Sequence, residues 1–367
     1  MPRVVIAAGG TAGHVVPALA VADAPRASGA DVSFLGTREG PEGRLVPAGG
    51  YELDCVRARG IERRSPLKAL RAGALAASAT VTARSAIRER HADALLGAGG
   101  YVAGPAGLAA LSLRVPLVLE ESDRHLGLAN RLLARWARRV CLAFPIAGRE
   151  GDRYLVTGRP VPATIVAADR PSARERFGIA QDERCLLVFG GSQGARSINE
   201  CALDAFVGDG PAARNRGYHI LHIAGRRDYP QVRERIDAAG GAEAYTLLEY
   251  ERDLSDPLAA SDLVLARAGG SVFELAAAGR AAILVPYPYA TARHQHANAA
   301  WMAEAGAAEV IDDSDLEPRE LALRVKALLS DPGRLEAMAA ASRSLARPDA
   351  AVRIAAEIRA AARSFDR

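Results

Sequence analysis

Short apolar runs that end in glycine recur along the chain, and each is followed by a stretch with helical periodicity. Residues 3–14, R-V-V-I-A-A-G-G-T-A-G-H, predict a strand feeding a glycine-rich turn. Val15 to Ala27 predict a helix, with Pro17 near its start, where a proline is tolerated. Val32 to Gly36 complete a strand, helix, strand unit, the building block of a parallel sheet. The same signature returns at Cys185–Phe189, Gly190–Ala195 and a helix from about Ser197. Two such openings half a chain apart predict two doubly wound domains. Between them, His91–Leu96 run into the turn Gly97–Pro105, and Val115–Leu119 predict a strand ending in Glu120-Glu121-Ser122-Asp123. Tyr154–Thr157 meet the stiff turn Gly158-Arg159-Pro160-Val161-Pro162, which is read as the domain boundary. In the second half, Leu263–Leu265 stop at Ala268-Gly269-Gly270-Ser271, a helix carries Glu274 in its first turn, and Ala282–Val285 form the next strand. Pro318–Ser330, Arg334–Leu345 and a last amphipathic segment behind a Pro348-Asp349 cap are helical by period.

At 367 residues, the chain is long enough for two cores, and 49% hydrophobic with 25% charged residues is the composition of an ordinary globular protein. The four cysteines show no C-x-x-C pair, so neither a zinc ribbon nor a disulfide framework is indicated and a reducing cytoplasm fits. With a strand predicted at the very start no signal peptide is expected, and no run reaches the roughly 18 apolar residues of a membrane span. Net charge is unevenly shared. Residues 1–160 hold 22 Lys and Arg against 14 Asp and Glu, the remainder 25 against 29, which predicts an anionic partner for the first half only. Nucleic acid and an anionic membrane surface are the candidates, and with 5% aromatics stacking platforms for single strands are not expected. The helix Leu67–Arg90, small and apolar with interspersed cations and preceded by Arg63 and Arg64, is the candidate contact, though packing on its own sheet explains most of its residues.

The chemistry concentrates at the glycine turns. A helix opening on small residues presents unpaired N–H groups and a positive dipole end to a phosphate. Glu274 one turn in suits ribose hydroxyls, and the polar string Thr291–Asn298 suits a second wall. The alternative is a tight turn with a dipole-friendly carboxylate. Ser192, Gln193 and Gly194 are placed to form an anion nest where a leaving diphosphate gathers charge. His14, just beyond the first glycine turn, is the candidate general base, with Glu121 and Glu120 as rivals. Asp313-Ser314-Asp315 spell D-x-D but precede a helix, which predicts turn and capping duty. His219 and His222 fall on opposite faces of a strand, and His294 with His296 lack a third ligand, so no metal site is expected.

Taken together, G-G-T-A-G-H-V-V-P-A-L-A at Gly9–Ala20, G-A-G-G-Y-V-A-G-P at Gly97–Pro105, G-L-A-N-R at Gly127–Arg131, F-G-G-S-Q-G-A at Phe189–Ala195, the Glu274 helix and H-Q-x-x-N at His294–Asn298 resemble glycosyltransferase family 28 over essentially the whole length. The resemblance implies an α/β, GT-B fold: two Rossmann-like doubly wound parallel-sheet domains with a cleft between them. It implies an acceptor and membrane-side domain over 1–162, a UDP-N-acetylglucosamine domain over 163–345 and a helix over 346–367 returning to the first. It implies inverting transfer of N-acetylglucosamine from its UDP form to undecaprenyl-diphosphate-linked N-acetylmuramyl pentapeptide in peptidoglycan synthesis. The setting is peripheral, at the cytoplasmic face of the cell membrane, with no obligatory bound metal or other cofactor and no nucleic acid partner. A paralogue serving another lipid or metabolite, or a nucleotide-sugar-binding protein without turnover, are the alternatives. By similarity the donor site uses Thr11, Ala12, Gly13, Ser192, Glu274 on the ribose, and His294 with Gln295. Asp123, Gln193, Gly194, Glu251, Gly270 and Ser271 are further donor-binding candidates, while His14 and then Glu121 are candidate bases. Two motifs depart from the family: Glu120-Glu121-Ser122-Asp123 stand for H-E-Q-N, and G-R-P-V-P at Gly158–Pro162 stands for G-N-P-V-R, so that Pro162 replaces a cation expected near the donor phosphates. The turn after Arg267 is also one residue shorter than the family's R-x-G-A-x-T.

Overall fold

A computed structural model describes residues 1–58, 66–191, 194–214, 216–290 and 293–365, with the backbone alone over 66–74. The chain divides into two compact units, residues 1–162 with 347–367, and residues 163–346.

The first unit runs β1 (Arg3–Ala7), α1 (Ala12–Ala27), β2 (Asp31–Gly36), α2 (Glu42–Ala48), β3 (Glu52–Cys55), α3 (Pro66–Glu89), β4 (Ala94–Gly97), α4 (Gly100–Ser112), β5 (Leu117–Glu121), α5 (Leu128–Leu133), β6 (Arg139–Leu142) and β7 (Tyr154–Val156). The seven strands order as β3-β2-β1-β4-β5-β6-β7, all parallel. Helices cover both faces, so strands read as continuous apolar runs whose alternate residues enter different cores. Val4, Ile6 and Ala8 join the core shared with α1, whereas Val5 and Ala7 join the one containing Ala106 and Ala109 of α4. The order reverses between β1 and β4, the point where doubly wound sheets bind ligands beyond the strands' carboxyl ends.

The second unit runs α6 (Thr164–Ala167), α7 (Arg170–Phe177), β8 (Arg184–Phe189), α8 (Arg196–Phe206), β9 (Tyr218–Ile223), α9 (Tyr229–Ala238), β10 (Tyr245–Leu248), α10 (Ser255–Ala260), β11 (Leu263–Ala266), α11 (Val272–Ala278), β12 (Ala281–Leu284), α12 (His294–Glu304), β13 (Ala308–Val310), α13 (Pro318–Leu329) and α14 (Pro332–Leu345). Its six parallel strands order as β10-β9-β8-β11-β12-β13, reversing between β8 and β11. The last helix, α15 (Ala350–Arg363), belongs to the first unit, where Ile354 and Ile358 are fully buried beside Val4, Ile6 and Val118.

Several local expectations are corrected. α1 begins at Ala12 rather than Val15, so His14 lies inside its first turn. Thr11 caps that helix by extended backbone geometry with no side-chain bond. Asp349 likewise makes no cap bond to α15; its carboxylate faces Arg353 at 4.0 Å. The strand expected over Val115–Leu119 runs to Glu121, which places both glutamates inside the sheet edge.

Candidate active site

In the first unit, two glycine turns interlock at the sheet reversal. Gly100 has φ +73°, and a Cβ there would lie 1.8 Å from the Gly9 carbonyl oxygen. Gly99 has φ +87°, and a Cβ there would lie 2.6 Å from Nδ1 of His14. Only glycine permits this conformation and this approach, so the turn after β4 becomes the wall against which the imidazole rests. Beneath the first turn, the fully buried Glu42 accepts from the Thr37 hydroxyl at 2.6 Å, the Thr37 amide at 3.0 Å and the Gly10 amide at 3.3 Å.

His14 Nδ1 is buried and without a partner among the described residues. Burial lowers the imidazole pKa below its ordinary 6.5, Arg159 lowers it further, and Asp123 opposes them. The ring is therefore neutral at pH 7, the form a general base requires. Arg159, largely buried, donates to the Gly13 carbonyl at 2.5 Å and so ties the segment after β7 to the first turn of α1. Sequence spacing gave no hint of this contact across 146 positions.

The two glutamates ending β5 have different tasks. Glu121 accepts from the amides of Asp123 at 3.2 Å and Gly127 at 2.8 Å, and from Asn130 Nδ2 at 2.9 Å. With both oxygens engaged it organises the turn into α5, which is a structural use of the carboxylate. Burial raises its pKa against those three bonds. Glu120 accepts from the Ser122 hydroxyl at 2.7 Å, while its Oε2 is buried with no partner among the described residues. Burial pushes its pKa up to about 7; the Ser122 bond and Arg159 pull it down, and Glu121 and Asp123 add to the rise.

In the second unit, the turn after β8 follows the same logic. Gly194, at φ +81°, backs onto the Ala224 carbonyl, where a Cβ would lie 2.4 Å away. Ser192 and Gln193 lie outside the described residues. A buried polar chain supports the turn: Asn199 Nδ2 donates to the Ala224 carbonyl at 2.9 Å and to Asp228 at 3.1 Å, and Nε2 of His222 meets Asn199 Oδ1 at 3.0 Å. Nδ1 of His222 meets the Tyr245 hydroxyl at 2.6 Å, and burial lowers the pKa of His222 to about 3. It is a neutral group with both ring nitrogens engaged.

The turn after β11 opens α11, which Gly279 closes in the left-handed conformation. Gly270 and Ser271 precede the helix, and Glu274 is half-buried in its first turn. α12 is brought against this turn: Asn298 donates to the carbonyls of Ala268 at 3.1 Å and Gly269 at 3.4 Å, and Gln295 accepts from the Tyr287 amide at 2.9 Å. His294 begins α12, whereas His296 turns toward Asp312 at 3.9 Å. Arg267, at the end of β11, was not singled out from sequence. It bonds Asp313 at 2.5 Å and the Ser197 hydroxyl at 2.7 Å, linking the two glycine turns' helices. Asp313 is thus committed to a cation and a hydroxyl, and no group of His, Cys, Asp and Glu suited to a metal ion is present among the described residues. Glu251 lies beyond the edge strand β10 and pairs with Arg176 at 2.6 Å.

The sequence model of the glycosyltransferase family 28 N-terminal domain matches residues 4–142, and that of its C-terminal domain matches residues 185–354. This chain belongs to glycosyltransferase family 28. It is 42% identical over 356 residues to the UDP-N-acetylglucosamine–N-acetylmuramyl-(pentapeptide) pyrophosphoryl-undecaprenol N-acetylglucosamine transferase of Methylococcus capsulatus, covering 96% of this chain and 97% of that one. The transferase of the same name from Moorella thermoacetica is 40% identical over 358 residues, at 95% and 96% coverage. Among solved structures, Acinetobacter baumannii MurG superposes with a TM-score of 0.75 at 32% identity, covering 98% of this chain and all of that one. The UDP-GlcNAc 2-epimerase of Neisseria meningitidis, with a TM-score of 0.67 and 15% identity, shares the fold alone. A family 28 glycosyltransferase with two Rossmann-like parallel sheets is a GT-B enzyme, as the resemblance implied.

Proposed function

We propose that this enzyme transfers N-acetylglucosamine, with inversion, from UDP-N-acetylglucosamine to undecaprenyl-diphosphate-linked N-acetylmuramyl pentapeptide in peptidoglycan synthesis. The observation that carries this reading is near-full-length likeness, at 40 and 42% identity, to transferases named for that reaction. In the second unit, the turns after β8 and β11 hold the diphosphate on backbone amides, Glu274 accepts from the ribose hydroxyls, and Gln295 with His294 addresses the sugar. The first unit supplies acceptor binding, and His14 takes the proton. As the acceptor hydroxyl bonds to the anomeric carbon, the bond from that carbon to the diphosphate oxygen breaks, its electrons leave with UDP, and a ring nitrogen of His14 receives the hydroxyl proton. Fixed donors at the departing diphosphate stabilise the charge that develops there. No divalent cation or cofactor is assigned a step.

Membrane contact is the finer part of the proposal. No helix among the described residues is long and apolar enough to cross a membrane. The side chains at the start of α3, like Arg63 and Arg64, lie outside what the structure describes. α5 and its following turn instead expose Leu128, Leu132 and Trp136 at four-residue spacing, with Arg131, Arg135 and Arg138 also exposed. Apolar anchors among cations suit the anionic headgroups of a cytoplasmic leaflet. The test of function is transfer of labelled N-acetylglucosamine from its UDP form to a lipid I analogue. Donor binding without transfer would overturn the acceptor assignment, and the altered Asp123 and Pro162 positions would then point to a paralogue with another acceptor.

A further inference from the structure

Arg159 reaches the first turn of α1 from the loop after β7, and Asp123, in the loop after β5, acts on His14 through its charge. Arg159 touches the backbone carbonyl of Gly13, the residue immediately before His14, at 2.5 Å. A Cβ on Gly13 would lie 3.5 Å from the guanidinium, so the cation is packed on the turn itself. The charged groups that act on His14 are Arg159 and Asp123, with opposite signs. On the far side the ring abuts the backbone of Gly99, which carries no charge. The groups acting on Glu120 are Arg159, Glu121 and Asp123, together with the Ser122 hydroxyl. Arg159 is thus a cation that acts on both the imidazole and Glu120.

We propose that Arg159 is a positioning residue of the transfer reaction: bonded to the Gly13 carbonyl, it fixes the turn that aims His14 and sets a cation beside the imidazole that takes the acceptor's proton, with Asp123 opposing that charge. The inference rests on the reading of His14 as the base. A guanidinium one residue from the ring does both tasks through a single contact. Its planar fork holds the carbonyl in place, and its charge disfavours a second positive charge on the neighbouring ring. Asp123 limits that effect, which leaves the ring basic enough to accept a proton during transfer.

The experiment is the pH profile of kcat/KM for transfer, together with an NMR titration of the His14 ring C–H in the full chain. The wild-type acid limb is expected below pH 6.5, the ordinary imidazole value. R159Q is expected to move both the limb and the ring titration upward by roughly half to one pH unit, and D123N to move them downward by a similar amount. R159K, which keeps the charge and loses the fork, is expected to keep the limb while lowering kcat. The ring resonance separates His14 from Glu120, which Arg159 also affects. R159Q and D123N profiles that fall equally at every pH, with the His14 titration unmoved, would overturn the inference and leave Arg159 a structural residue. Should R159Q not fold, D123N and R159K carry the same test. The underlying reading fails differently: H14Q with wild-type turnover removes the base assignment whatever the Arg159 variants do.

Discussion

Glu120 is a buried carboxyl whose acidity is set by the fold, and replacing it by glutamine tests the electrostatics of the whole β5 edge. Its pKa is 4.5 in the absence of an environment and is pushed up to about 7 here, chiefly by burial. The folded chain therefore binds this proton more tightly than the unfolded chain does. Stability from this group is intact below pH 4.5, declines as pH rises toward 7, and is lowest above it. A difference of about 2.5 units corresponds to about 3 kcal/mol. Glu120→Gln removes the charge and keeps an acceptor for Ser122, but its new N–H groups need partners, at a cost of about 1 kcal/mol or more. The variant is expected to be about 1–3 kcal/mol more stable than wild type at pH 8 and no more stable at pH 4.5. The chain's two tryptophans, Trp136 and Trp301, fall in different units, so urea unfolding in a Trp301→Phe background lets Trp136 report the first unit alone. Equal stability at pH 8, or the same difference at both pH values, would show that the Glu120 carboxyl is solvated and that its burial does not control its charge.

Gly100→Ala is expected to unfold or severely destabilise the first unit, by several kcal/mol, because a Cβ 1.8 Å from the Gly9 carbonyl cannot be relieved by any rotamer; circular dichroism melts check this. Glu274→Ala is expected to raise the KM for UDP-N-acetylglucosamine about tenfold or more with a smaller change in kcat, and steady-state kinetics with wild-type KM would count against the ribose contact. Leu132→Glu with Trp136→Glu is expected to reduce co-sedimentation with anionic vesicles while leaving transfer to a detergent-solubilised acceptor unchanged.

The strands and glycine turns were legible because both obey local rules. A parallel strand buried on two faces must be a continuous apolar run, and a turn at positive φ beside another backbone must be glycine, as at Gly100 and Gly194. The side-chain assignments depended on partners far away in sequence. Glu121 reads as an acid at a strand end, and its bonds to Asn130 and Gly127 show only in the fold. The pairing of Glu251 with Arg176, 75 positions earlier, shows in no local pattern. Arg267 sits within the most telling stretch of the chain, yet its meaning comes from Ser197 and Asp313, which no periodicity connects to it. The exposed face of α5 was missed because a six-residue helix is too short for its period to stand out.

The place of α15 has a consequence for how the protein is made. Ile354 and Ile358 fill the core beside β1, so residues 1–162 lack two of their innermost side chains until all of residues 163–346 have been synthesised. The segment from 163 to 346 meets no such delay. Residues 163–346 are thus equipped to fold before residues 1–162, which must wait, incomplete, for α15 to arrive.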